Sequence, residues 1–139
     1  MMRVAVKSAR RGSKKGGKAG PKIFAVTILT SHSSLGPLGL SGSLKRGVFR
    51  LADLARKAGV DGLVCSPQEV KELKKKYGKT FQYITPGIRF DSQETDDQKR
   101  IATPRQAFLN GSDYLVVGRP ILKALHPKEV AKNILKGML

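Results

Sequence analysis

The ten residues Val60-Asp-Gly-Leu-Val-Cys-Ser-Pro-Gln-Glu69 close one element and open the next with almost nothing between them. Val60–Cys65 is a short apolar run with the composition of a strand. It stops at Ser66, which can accept from the amide of Glu69, while Pro67 suits the first helical position and Glu69 can reach back. Together these residues spell a capping box. Gly78 supplies the stop. A strand that runs straight into a helix is the signature of a parallel βαβ unit.

The alternation extends in both directions. Ile23–Thr30 lies upstream, and Phe81–Thr85 and Asp113–Gly118 lie downstream. All are largely apolar on both faces, as strands covered on both sides by protein should be. Leu44, Val48, Leu51, Leu54, Ala55 and Ala58 recur at helical spacing, and Gly59 stands where a left-handed cap is needed. Thr103-Pro104-Arg105-Gln106 repeats the helix-start signal ahead of Ala107–Asn110. Pro127 opens a last helix carrying Val130, Ala131, Ile134 and Leu135. The fold class is α/β, one domain over 1–139, with four βα units in 21–139. Residues 1–20 read as a basic helix remnant of one or two turns leading into a flexible loop. Gly12, Gly16, Gly17 and Gly20 each penalise a helix there by up to about 1 kcal/mol.

At 139 residues and 40% hydrophobic content the chain can bury one core. No apolar run is long enough to span a bilayer. The single cysteine, Cys65, rules out an intramolecular disulfide and fits a reducing compartment such as the cytoplasm. A formal charge of +17 raises the prior for a polyanionic partner, but the surplus is partly local. Residues 1–22 hold eight basic side chains and no acid, leaving +9 for the remainder.

Several short motifs fail on inspection. Gly12–Ala19 nearly spells a phosphate-binding loop, but Ala19 replaces the metal-holding hydroxyl and the segment precedes a strand instead of following one. His32, His126 and Cys65 are too scattered for a metal site. Lys74-Lys75-Lys76 falls late in a helix, where cations complement the dipole.

The strand ends are more informative, because parallel α/β sheets bind ligands beyond the carboxyl ends of their strands. Those ends carry Thr30-Ser31-His32, Ser66, Pro86-Gly87-Ile88-Arg89 and Gly118-Arg119-Pro120. A glycine amide beside a guanidinium fork suits a phosphate or carboxylate. The polar segment 89–103 is long for a strand-to-helix connection, as binding loops are. Gln98, Lys99 and Arg100 are placed to reach the anion that Arg119 would hold.

Five motifs in register, Val26–Ser31, Asp61–Ser66, Thr85–Arg89, Asp97–Arg100 with Thr103-Pro104, and Asp113–Pro120, resemble those of bacterial orotidine 5′-phosphate decarboxylases over residues 21–127. The resemblance implies a TIM (β/α)8 barrel of which this chain carries strands five to eight. It implies conversion of orotidine monophosphate to uridine monophosphate and carbon dioxide without metal or organic cofactor. It places Thr30 and Ser31 at the pyrimidine side, and makes Arg89, Gln98, Gly118 and Arg119 substrate-binding residues, with Gln98 and Arg119 at the phosphate.

One departure is large. The family's chemistry rests on a Lys–Asp–Lys–Asp array that includes a D-x-K-x-x-D motif, and this sequence contains none. No catalytic residue is therefore expected here, and the isolated chain is expected to be inactive. Four βα units alone would leave two open sheet edges and an uncovered inner face. The expected partners are a small nucleotide and either a second copy, as in the family's homodimers, or a complementing N-terminal half. No membrane is expected, and nucleic acid ranks below the nucleotide. The rival reading is a non-enzymatic basic protein that binds nucleic acid through residues 1–20.

Overall fold

A computed structural model describes residues 1–17, 19–90 and 100–138. Along them run α1 (Met2–Gly16), β1 (Phe24–Val26), α2 (Leu44–Ala58), β2 (Gly62–Val64) and α3 (Val70–Tyr77). Then follow β3 (Gln82–Thr85), α4 (Pro104–Leu109), β4 (Tyr114–Leu115), α5 (Arg119–Leu122) and α6 (Pro127–Met138). The strands form one parallel sheet in the order β1-β2-β3-β4. Every strand and helix expected from the sequence has a counterpart, although each strand is shorter than its apolar run.

The core lies between the sheet and its helices. Leu63 and Tyr83 are fully buried against Val48, Ala52 and Ala55 of α2 and Val70, Leu73 and Tyr77 of α3. Two aspartates fix the amino ends of the strands. Asp61 accepts from the amide of Ile23 at 2.6 Å, and Asp113 accepts from the amide of Tyr83 at 2.8 Å. In each case the carboxylate before one strand caps the amide at the start of its neighbour.

The helix signals act as their chemistry requires, with three differences. Ser43 caps α2 by accepting from Arg46, and Gly59, at φ 76°, ends it. Thr103 Oγ1 accepts from Gln106 at 3.2 Å, as the second start signal implies. In the first signal Glu69 does reach back to the Ser66 amide at 3.2 Å, but Ser66 Oγ accepts from Gln68 instead of Glu69. Ser66–Glu69 closes as a turn, and regular helix starts only at Val70. Residues 119–122, read as a strand-end loop, form the short α5, with the Gly118 carbonyl accepting from Ile121 and Leu122. Finally, α1 runs unbroken to Gly16, past the one or two turns expected. Tertiary packing overrides the glycine penalty there. Met2 and Val6 lie on the core, and Arg10 Nη2 donates to the Gly59 carbonyl at 3.0 Å.

The expectation of strands covered on both faces holds only on the helix side. Cross-strand partners share a face, so the register places Val26, Val64, Ile84 and Tyr114 together on the other one. There Val26 is 55% and Tyr114 45% exposed. Both belong to edge strands, which lack a neighbour on one side. Phe24 leans over Gly62 on this face and meets Tyr114 edge to face at 6.4 Å. A side chain at position 62 would collide with the Phe24 ring and the Gln82 carbonyl.

At the carboxyl ends, the segment 100–102 ties three strands together. Arg100, 7% exposed, pairs with Glu69 and donates through Nη2 to the carbonyls of Ile28 and Leu29, each at 2.8 Å. Its own carbonyl accepts from Ser66 Oγ at 3.5 Å. Ala102 bridges in parallel to Ile88, receiving from the Arg89 amide at 3.0 Å and donating to Gly87 at 3.1 Å. The sequence points Arg100 toward the anion held by Arg119, and its burial in this brace corrects that reading.

Two outcomes follow for stability. Gly62→Val should cost about 3 kcal/mol through overpacking against a ring and a carbonyl, read as a lower urea midpoint. Arg100→Met should cost about 3–5 kcal/mol by leaving the Glu69 carboxylate buried and unpaired, and adding Glu69→Gln should recover a large part. Equal midpoints for the single and double variants would show that the ion pair is not the source of the loss.

Candidate functional site

Because each strand ends where its backbone ladder stops, the residues just beyond it present their side chains and amides at one rim of the sheet. Past β1, Thr27 Oγ1 donates to the Val64 carbonyl at 3.1 Å, and the His32 amide donates to Leu29 at 3.0 Å to close a turn. That turn carries Thr30, which is buried, and Ser31 and His32, which are half-buried. Past β3, Gly87 adopts φ 83°, a left-handed conformation that a side chain would strain. The chain then turns through Ile88 to Arg89. Past β4, Gly118 is exposed and Arg119, half-buried, begins α5.

Arg89 is the most telling of these. It is 4% exposed, and its Nη1 donates to the neighbouring Ile88 carbonyl at 2.8 Å. Among the described residues its buried Nε and Nη2 have no hydrogen-bond partner. A buried guanidinium with unmet donors is costly unless an anion or another acceptor completes it. Beside it lies a cavity of about 360 Å³ with Gln68, Thr103, Gln106 and Asn110 among its walls. Asn110 is itself oriented, donating to the Pro67 carbonyl at 2.9 Å and accepting from Gln106 at 3.0 Å. A larger cavity of about 560 Å³ sits between α4 and α6, where Phe108, Ile134 and Met138 line it. Phe90 and Thr103 also line it, so it opens beside the Arg89 cavity, which shares Thr103.

The predicted site residues thus share a rim, but they are not one contact cluster. Thr30 and Ser31 follow β1, Arg89 follows β3, and Gly118 and Arg119 follow β4. Residues 100–102 span the interval from β1 to β3. Gln98 and Lys99 lie outside the described residues. Sequence reasoning missed the second role of Glu69, whose one carboxylate oxygen caps Ser66 while the other pairs with Arg100. The available signal was an arginine closing a long polar loop just ahead of the Thr103-Pro104 helix start. Gln68 and Asn110 carried no signal, since isolated amides in helix termini are common.

The electrostatics exclude a thiolate. Burial pushes the Cys65 thiol up to about 12, outweighing the favourable field of Arg100, so Cys65 stays a protonated apolar-like side chain. Burial also lowers the Arg100 guanidinium from its ordinary value, yet an arginine remains charged at neutral pH. Among the described residues no three His, Cys, Asp or Glu side chains converge as metal ligands would.

This arrangement matches known proteins over nearly its whole length. The family model for orotidine 5′-phosphate decarboxylase / HUMPS covers residues 1–134. The orotidine 5′-phosphate decarboxylase of Actinobacillus pleuropneumoniae serotype 5b is 52% identical over 120 residues, covering 85% of this chain and 52% of that protein. The Legionella pneumophila (strain Corby) enzyme of the same name is 45% identical over 135 residues, or 96% of this chain and 59% of that protein. The crystal structure of orotidine 5′-phosphate decarboxylase from Lactobacillus acidophilus superposes with a TM-score of 0.72 at 39% identity, over 88% of this chain and 51% of that one. The chain therefore spans about half the length of the relatives it matches, and its parallel βα units are those of their TIM barrel. With the family model covering residues 1–134 and relatives of 45–52% identity matching most of its length, the chain belongs to the orotidine 5′-phosphate decarboxylase / HUMPS family.

Proposed function

We propose that this chain supplies the phosphate-gripping side of an orotidine 5′-phosphate decarboxylase, corresponding to strands five to eight of the barrel. The complete reaction would convert orotidine monophosphate to uridine monophosphate and carbon dioxide, a cofactor-free lyase step in pyrimidine biosynthesis. The observation that carries this reading is Arg89, buried with two donors unmet among the described residues beside a cavity at a strand end. Arg119 beside the exposed Gly118 amide, and Gln98 from the preceding loop, are assigned to the nucleotide phosphate. Thr30 and Ser31 are assigned to the pyrimidine side, where a hydroxyl can hydrogen-bond ring oxygens and nitrogens.

The same reading assigns no catalytic group to this chain. Decarboxylation leaves a carbanion that must be protonated, and the family's D-x-K-x-x-D motif, which provides the lysine, is absent from the sequence. Binding of the phosphate without that lysine gives affinity but little acceleration, since only interactions stronger in the transition state raise the rate. The uncovered sheet face and the edges β1 and β4 fit a chain completed by a complementing half or a second copy.

Titration calorimetry with uridine monophosphate should show one saturable site. Arg89→Ala and Arg119→Ala should each weaken it by about tenfold or more, the cost of one charge-assisted contact. Unaltered affinity in both variants would remove the phosphate assignment, and steady decarboxylation of orotidine monophosphate by the homogeneous chain would remove the assignment of inactivity. Sedimentation should reveal concentration-dependent association through the open edges, and a single monomeric species at about 100 μM, high for so exposed an apolar face, would contradict it.

A further inference from the structure

The surplus charge on α1 has a geometry that the strand-end site does not use. Arg3, Lys7, Arg10, Arg11, Lys14 and Lys15 are related by i,i+3 and i,i+4 spacings, which gather them along one side of the helix. The helix contains no acid, and no ion pair among the described residues reaches it. Like charges at this spacing each cost a helix a few tenths of a kcal/mol. Covering Val6 and Met2 on the core does not require that cost, since acids or amides would serve equally on the outer side.

The stripe also borders a shaped surface. A groove of about 550 Å³ runs between α1 and the end of α2, lined by all six cations together with Val6 and Ala58. Arg10 is anchored there by its bond to the Gly59 carbonyl. The last turn of α2 adds Arg56 and Lys57. From Arg3 to Lys15 the stripe covers about 18 Å at 1.5 Å per residue. That length far exceeds one small phosphate and equals about five base-pair steps of a duplex at 3.4 Å of axis each.

We propose that this α1–α2 groove binds the phosphodiester backbone of nucleic acid, independently of the strand-end site and without base recognition. A membrane surface is the weaker fit. A helix lying in a bilayer interface must insert an apolar side, and that side of α1 is spent on the core, with Val6 only 5% exposed. The groove offers cations to a chain of anions and little to an acyl layer.

The test uses the full chain and a labelled 20-base-pair DNA duplex of arbitrary sequence, followed by fluorescence anisotropy across a salt series. Saturable binding is expected at about 50 mM salt, with log K falling against log salt at a slope of roughly −3 to −5. Lys7→Gln with Lys14→Gln should weaken binding at least tenfold and reduce the slope by about 2, one for each cation withdrawn from the phosphates. Lys128→Gln with Lys132→Gln in α6 carries the same charge change and should leave both unaltered. The neutral substitutions relieve repulsion within α1, so circular dichroism should show its helix retained. A wild-type slope shallower than about −2, an equal weakening in the α6 control, or capture by phosphatidylserine vesicles with no duplex binding would each overturn the proposal.

Discussion

The rim of this sheet depends on one buried ion pair. Glu69 and Arg100 come from opposite ends of a long stretch of chain, and their side chains are only 12% and 8% exposed. Such a pair is a poor source of net stability, since desolvating both ions offsets much of their attraction. Its value is positional. Arg100 has more donors than Glu69 can accept, and it spends the excess on the carbonyls of Ile28 and Leu29. Those carbonyls lie just past the last rung of β1, where no strand pairing remains to hold them. One guanidinium thus fixes the direction in which the chain leaves β1, and with it the turn that carries Thr30 and Ser31.

The same constraint sets where the chain rejoins the sheet at Arg100. Residues 100–102 return to the sheet as a strand-like piece beside Ile88. The Gly87–Arg89 backbone holds this piece on one side and the Arg100 guanidinium on the other, so the strand-end rim is braced from β1 to β3. Arg89 lies beside this brace with two donors unmet among the described residues, which is where an anion would have the greatest effect.

Much of this is legible in the sequence because local chemistry and tertiary need coincide. The order of elements, the Gly59 cap, the Thr103 cap and the strand-end positions all depend on short-range rules. The failures share a different cause. α1 outlasts the one or two turns expected, and the tertiary contact beyond them, Arg10 on the Gly59 carbonyl after α2, is one that periodicity does not reveal. The true role of Arg100 depends on Glu69, 31 positions away. The sequence overstates the coverage of the sheet because apolar residues on both faces report what a strand is suited to, not what is present to cover it. Val26 and Tyr114 have the sequence of buried strand residues and the exposure of an edge.

The net charge of +17 separates on the same basis. Arg89 and Arg100, the cations nearest the strand-end rim with resolved partners or cavities, are buried at 4% and 7% exposure. A buried guanidinium acts at close range on a ligand or a carbonyl, and fixed partners such as Glu69 cancel its distant field. The cations of α1 are the reverse case, unpaired by any acid among the described residues and lining an open groove. Beyond a Debye length of about 8 Å only such clustered, uncompensated charge is felt by a diffusing partner. A few aimed, buried donors suit a small anion at close range, whereas the long-range field of this chain is written by its first helix. The proposed small-anion grip and the proposed nucleic-acid groove can therefore coexist in one fold because they draw on different sets of cations.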